Sequence, residues 1–362
     1  MLPYSSGSVE PNNYWMTFLI LKKGVEAMTT TMGSSDRQIL NIIQTTFPLV
    51  ERPFENVGSQ VDLSEEEVIQ RIDNLKRQNV IRQISAIFDT RRLGYKTTLV
   101  AARLPQESLD AGAQIINQHP GVSHNYERDG YFNLWFTIAV SADEDLEESV
   151  SFLTKQTKAE AVRMMPTIKF FKIGVNFDMI KNEGNAVDYF SPDGYNKSGQ
   201  GKWNEAQTLT KFDIQVIREL QEDLDLISTP FESMAQRLNI SQTELFQAAH
   251  SLTERELMRR FSAVLHHRKA GFGSNAMAVW KVPTDRSTEV GYLMAQSKWV
   301  THCYERPTFP DWPYTHFTMI HATSRDQCEK VAHEISNQTG ISDYQLLYST
   351  REYKKTRVRY FV

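Results

Sequence analysis

The residues best suited to chemistry in this chain of 362 residues form two matching triplets: His124, Tyr126 and Arg128, and His302, Tyr304 and Arg306. Members of a triplet are two positions apart, so on a β-strand they share one face while Asn125 and Glu127 turn to the other. The combination can move a proton and hold an acid. Histidine titrates near neutrality, which makes His124 and His302 the acid–base candidates. Tyr126 and Tyr304 can orient a reacting group or donate to it. Arg128 and Arg306 stay charged and can clamp a carboxylate through two parallel hydrogen bonds. A solvated edge strand could carry one such triplet; its retention in two diverged halves argues for a site.

Large flat side chains follow each triplet, Tyr131, Phe132, Trp135 and Phe136 in the first case, Phe309, Trp312, Tyr314 and Phe317 in the second. Trp135, Trp312 and Tyr314 are expected to wall a site for a planar, aromatic, polyanionic ligand. Arg91 and Arg268, retained in both halves, join Arg128 and Arg306 as candidate carboxylate partners. His321 is a further candidate for ligand contact, and with His316, His266 and His267 it is weaker than the triplet histidines, because a lone strand histidine is more often a satisfied structural group. Cys303 falls on the face opposite His302 and reads as a small buried residue.

The triplets belong to a longer repetition. Asp36, Pro53, Phe54, Ser64, Arg82, Ser85, Arg91, Gly94 and Ala101 recur 177 positions later, ending at Ala278, and the triplets recur at 178. A period this long means duplicated domains. Each copy is expected to open with three short helices, the third starting at a capping box, Ser64 with Glu67 or Ser241 with Glu244. The alternating stretches 80–88 and 257–266 are expected as wing hairpins. Strand, helix, strand, strand, helix, strand then follow in each copy. The expected fold class is α+β, two tandem copies of a winged helix-turn-helix followed by a ferredoxin-like βαββαβ domain. Boundaries are expected at 1–34 for an N-terminal appendage, 35–92 and 93–175 for the first copy, 176–210 for a polar linker, and 211–269 and 270–362 for the second. The linker is long enough for the copies to pair as an intramolecular pseudo-dimer, with a further homodimer left open.

Forty basic against 44 acidic residues give a net charge of −4, so the chain has no global attraction for nucleic acid or an anionic membrane. Two cysteines, Cys303 and Cys328, argue for a reducing compartment, the cytoplasm by default. The apolar run 14–21 is too short to span a bilayer. Met28 and Met32 stand just before the first repeat, which makes the upstream stretch a candidate translation-start artefact. The expected recognition helix of the first copy begins Ser64-Glu65-Glu66-Glu67, and that of the second, Ser241-Gln242-Thr243-Glu244, has no base in its first turn. Three acids would repel phosphate, so no DNA binding is expected.

The architecture resembles that of the leucine-responsive and asparagine-synthesis regulators. The motifs go further. VSHNYERDGYFNLWFT at 122–137 and FFKIGVNFDM at 170–179 resemble alpha-type subunits of the siroheme decarboxylase family, and THCYERPTFPDWPY at 301–314 with LLYSTREYKKTRVRYF at 346–361 is similar to beta-type subunits. The resemblance implies a natural alpha–beta fusion that removes two acetate carboxylates from siroheme to give 12,18-didecarboxysiroheme, on a route to haem or haem d1. Siroheme and didecarboxysiroheme are then the partners. No cofactor is expected beyond the iron-containing tetrapyrrole substrate, whose ring can take up the charge left by departing carbon dioxide. His124 or His302 could ligate the siroheme iron, but ligation would occupy the imidazole needed for proton transfer. The alternatives are a ligand-responsive regulator and a non-catalytic tetrapyrrole sensor. Asp129 against Pro307, and four extra residues before Tyr314, break the symmetry near the triplets, so unequal contributions are expected.

Overall fold

The computed structural model describes residues 32–174, 177–180, 183–184, 204–266 and 274–362. Most of the N-terminal appendage, most of the linker, His267 and Arg268 lie outside the described residues. Residues Ser34–Val362 form one compact unit.

Buried Ile39, Leu40 and Ile43, spaced at helical period, make α1 (Ser34–Thr45). Pro53 starts α2 (Pro53–Val61), which stops at Asp62 in the left-handed region with φ 56°. Ser64 and Glu67 satisfy each other's backbone in the expected capping box of α3 (Glu65–Arg77). Strand β1 (Ile81–Phe88) follows, then β2 (Lys96–Arg103), α4 (Leu109–Asn117), β3 (Val122–Arg128), β4 (Leu134–Val140), α5 (Leu146–Thr157), β5 (Ala161–Met165) and β6 (Lys169–Ile173). A minimal pair, β7 (Phe177–Asp178) with β8 (Glu183–Gly184), falls in the expected linker. The second copy runs α6 (Lys211–Leu220), α7 (Pro230–Leu238), α8 (Gln242–Glu254), β9 (Met258–Leu265), β10 (Ser274–Trp280), α9 (Ser287–Ala295), β11 (Val300–Glu305), β12 (His316–Ala322), α10 (Arg325–Thr339) and β13 (Tyr344–Lys355).

The wings are not hairpins. Neither stretch contains a Gly, Asn or Pro turn that could reverse it, and each is instead a single strand that pairs antiparallel with its counterpart, Ser85 opposite Ser262. This two-stranded ribbon joins the copies.

The ferredoxin-like parts join through a second and larger seam. Their strands form one sheet in the order β5-β2-β4-β3-β13-β10-β12-β11-β6. Each copy's last strand pairs first with its own copy and then crosses to the other: β13 lies against β10 through Tyr344–Tyr348 and against β3 through Ser349–Lys355. The expected strand 161–173 does the same in two pieces, because Pro166 cannot donate to a ladder. β5 pairs β2, and β6 pairs β11. Since β5 and β6 end the strand order and are separated by only Pro166, Thr167 and Ile168, the sheet closes on itself as a barrel.

Helices α4 and α5 cover one half of the barrel's outer face, α9 and α10 the other, each over its own apolar core. Val100 and Ala278 both face those helices while Ala101 and Val279 both face inward. The first strands therefore match at 178 positions, and the pairing of Ala101 with Ala278 read from sequence is one residue out, which on a strand reverses the face. Gly291 on α9 lets the ring of Phe171 from β6 approach so closely that a Cβ there would sit 2.3 Å from its Cζ.

Candidate active site

Inside the barrel one end is filled. Phe132, Trp135, Trp312, Tyr314, Phe317 and Leu347 pack as an apolar plug, with the Trp135 and Trp312 rings 5.4 Å apart. Above the plug is a cavity of about 830 Å³. Small-molecule sites run to roughly 300–1,000 Å³, so this one is at the large end. Trp135 and Phe317 floor it, the β1–β9 ribbon forms part of its wall, and the C-terminal segment after β13 forms another.

Both triplets face this cavity. His124, Tyr126 and Arg128 line it from β3 and His302, Tyr304 and Arg306 from β11, as strand parity requires. Asn125 turns the other way and donates to the Ala113 carbonyl on α4 at 3.1 Å, and Cys303 is buried against Gly291 on α9. Each triplet begins just after a register shift, between Val122 and His124 in β3 and between Val300 and His302 in β11. A bulge lets adjacent residues share a face. Ser123 Oγ thus lies 2.9 Å from His124 Nδ1, and Thr301 Oγ1 2.9 Å from His302 Nδ1. Simple alternation assigns Ser123 and Thr301 to the opposite face, so sequence reasoning missed them.

The two arginines do double duty. Arg128 donates through Nη1 to the Leu347 carbonyl at 3.0 Å, and Arg306 donates through Nη1 to the Met165 carbonyl. Each therefore holds the other copy's crossing strand. Their Nε–H groups, buried at the cavity wall, have no hydrogen-bond partner among the described residues. Arg306 also lies over the rings of Tyr304 and Phe317, 4.9 and 5.5 Å from their centroids. Arg91 reaches the cavity and donates to Thr167 Oγ1 at 3.1 Å.

His321 is brought in as well, from β12, with Nδ1 3.1 Å from Thr301 Oγ1. His316 points outward and is spent on the Ser287 carbonyl at 2.9 Å. Trp312 and Tyr314 are a correction to the expected wall: they belong to the plug and do not line the cavity. The inserted loop folds back through paired backbone bonds between Phe309 and Trp312, and Arg163 of the first copy fixes it by a two-pronged bond to Asp311 at 3.0 and 2.8 Å.

Six cationic residues of the cavity lining were not among the candidates read from the sequence. Arg82, Arg259 and Arg260 come from the ribbon, Lys355, Arg357 and Arg359 from the end of β13 and the segment beyond it. Arg82 and Arg259 were visible as repeated residues, but the wing-hairpin assignment gave them no part in a site. Arg357 follows a strand that the alternating tail continues, and Tyr360 anchors that tail through its hydroxyl, 2.7 Å from Thr90 Oγ1. Acids are fewer: Glu222 and Asp223 line the cavity, and of the acids outside its lining Asp89 takes Arg259 at 2.7 Å and Glu352 stands 3.9 Å from Arg82.

This balance sets the protonation states. Burial, then Lys355 and Arg82, pushes His124 down to about 3; burial, then Arg259, Lys172 and Arg306, does the same to His302. His321 is pushed down to about 3 by burial, then by His302 and Lys355. Burial raises the phenols of Tyr126 and Tyr304, and lowers Arg128, Arg306 and Arg357 to about 10, still charged at neutral pH. The free cavity thus holds neutral imidazoles among fixed cations, an arrangement that favours a ligand bearing several carboxylates. Among the described residues no cluster of His, Cys, Asp and Glu could hold a metal ion, and no helix is long and apolar enough to cross a membrane.

Fold and site define a class: a tandem pair of small-molecule-handling domains with helix-turn-helix units attached. Residues 92–172 and 269–354 match the AsnC-like ligand binding domain, and residues 36–82 and 213–259 match the siroheme decarboxylase NirDL-like HTH domain. The chain is 38% identical over 331 residues to the siroheme decarboxylase of Hydrogenobacter thermophilus, covering 91% of this chain and 96% of that one. The siroheme decarboxylase beta subunit of Methanosarcina barkeri is 44% identical over 151 residues, 42% of this chain and 99% of that subunit. A crystal structure of the siroheme decarboxylase NirDL in complex with an iron-uroporphyrin III analogue superposes with a TM-score of 0.65 at 32% identity, over 91% of this chain and 95% of that one. The chain belongs to the siroheme decarboxylase family.

Proposed function

We propose that the barrel cavity is where this carboxy-lyase removes two acetate carboxylates from siroheme to give 12,18-didecarboxysiroheme. The observation that carries this reading is the convergence of both His-Tyr-Arg triplets on one cationic cavity. The Nε–H donors of Arg128 and Arg306 and the charges of Lys355 and Arg357 suit the carboxylates that do not react. A reacting arm loses carbon dioxide, its electron pair spreads into the macrocycle, and an imidazole of His124 or His302 delivers the proton that completes the methyl group. Tyr126 and Tyr304, held as neutral phenols, orient the arm. The macrocycle acts as its own electron sink, so no further cofactor takes part, and its iron is part of the substrate.

The helix-turn-helix units serve the cavity in this reading, because their single strands, β1 and β9, form part of its wall. We propose that they no longer read DNA: Glu65 is held by Arg52 and Glu67 by its own capping box at the turn that would meet phosphate. Anaerobic incubation of the purified protein with siroheme, followed by mass measurement of the product, tests the function. Loss of two carbon dioxide equivalents is expected; bound but unchanged siroheme would make the protein a sensor.

A further inference from the structure

Two imidazoles meet on one hydroxyl. Thr301 Oγ1 lies 2.9 Å from His302 Nδ1, 3.1 Å from His321 Nδ1 and 3.3 Å from the Met319 carbonyl. A threonine hydroxyl has one hydrogen and two lone pairs. Only one of its three neighbours can receive that hydrogen, so at least one of the two imidazoles carries its proton on Nδ1 and gives it to Thr301. The ring nitrogens are thereby ordered with respect to each other, and the Nε2 of His302 is left for the cavity.

The first copy has no such arrangement. Ser123 Oγ meets His124 Nδ1 at 2.9 Å. By the common register of the strand pairs, in which Val122 faces Ile138 and Val300 faces Ile320, the position matching His321 is Ala139. The chain behind His124 therefore ends at a serine. Behind His302 it continues to a second titratable group.

We propose that Thr301 and His321 are positioning residues that form a proton relay behind His302, so that the two halves of the cavity are unequal in proton delivery and the second copy's triplet is the one that is resupplied. The proposal rests on the decarboxylase reading. The bond between an arm's methylene carbon and its carboxylate breaks, the electron pair stays on the carbon, and carbon dioxide leaves. The Nε2 proton of His302 passes to that carbon and completes a methyl group. As it leaves, the Thr301 hydroxyl hydrogen moves to His302 Nδ1, and the Nδ1 proton of a protonated His321 moves to Thr301. His321 ends neutral with its proton on Nε2 and takes another from water. Arg259 from β9, Arg306 from beside β11 and Lys355 from β13 line the cavity with His302, Lys172 on β6 adds its charge from the helix side, where its ammonium donates to the Ala295 and Ser297 carbonyls, and the charges of Arg128 and Lys355 act on His321. All are cations, so the carboxylates of the substrate are what make the extra proton on His321 tolerable.

The test uses the full chain with siroheme under anaerobic conditions. Thr301→Val should lower kcat by roughly 10- to 100-fold, a part of what general acid catalysis supplies, with KM within about twofold, and Thr301→Ser should recover most of it. His321→Ala, which copies the residue the first half already tolerates at Ala139, should lower kcat alike and shift its pH profile. Normal kcat in Thr301→Val overturns the relay, and so does a His321→Ala variant with raised KM and normal kcat, which would make His321 a substrate contact. Absence of turnover in the wild type overturns the decarboxylase reading itself. Nitrogen-15 shifts of labelled histidines in the resting protein give a readout without turnover: an Nδ1-protonated ring at His302 or His321 that Thr301→Val abolishes supports the relay, and unchanged shifts overturn it.

Discussion

The guanidinium of Arg128 donates a hydrogen bond to the main-chain carbonyl of Leu347, 3.0 Å away, across the seam between the two copies. Its counterpart Arg306 does the same to Met165. The residues best placed to hold a substrate's carboxylates are thus also the ones that fasten each copy's last strand to the other.

Arg306→Met is therefore expected to act on stability as well as on binding. Loss of one hydrogen bond from a charged donor is worth roughly 1.5–3 kcal/mol, which should appear as a lower denaturation midpoint in the free protein. Siroheme affinity should fall by about one to two orders of magnitude. An unchanged midpoint would mean that the Met165 carbonyl finds water or another donor once the guanidinium is gone.

His302→Ala and His124→Ala are each expected to keep the ligand and lose turnover, because the imidazoles line the cavity without holding the strands together. Each should cost roughly 10²- to 10⁴-fold in rate if it delivers a proton. The measurement is single-turnover product formation beside spectroscopic titration of siroheme. A variant that turns over normally removes its histidine from the reaction.

The histidines also predict a pH dependence. His124, His302 and His321 are held down to about 3 in the folded protein, against about 6.5 in an unfolded chain. Below pH 6.5 the unfolded chain takes up protons that the native state refuses, so stability should decrease as pH falls toward 3 and level off below it. A polycarboxylate ligand reverses the local field and raises the histidines. Calorimetric titration with siroheme in buffers of different ionisation enthalpy should show proton uptake on binding, with tighter binding at pH 6 than at pH 8. Equal heats in all buffers would count against imidazoles facing the carboxylates.

Duplex DNA, including the chain's own promoter region, is expected to pass over the immobilised protein without retention at physiological salt. The wing strands are paired to each other and the first turn of α3 carries Glu65, Glu66 and Glu67. Salt-sensitive, sequence-selective retention would restore the regulator reading.

Much of the molecule is legible in its sequence. The repeat, the capping boxes at Ser64 and Ser241, the order of helices and strands, and the shared face of His124, Tyr126 and Arg128 follow from local rules: side-chain period, cap chemistry and turn residues act over a few positions. Those rules do not reach across the chain. That 80–88 would pair with 257–266, that Pro166 would split one strand so that the sheet could close, and that Lys355 and Arg357 would arrive beside His124 are decided by contacts between residues far apart in sequence. Trp312 shows the same limit, since its aromatic character was plain but burial in the plug depends on a loop held by Arg163 from the other copy. Thr301 marks the boundary most clearly. A single bulge in β11 reverses the face that alternation assigns to it, and only the folded barrel places that hydroxyl between His302 and His321.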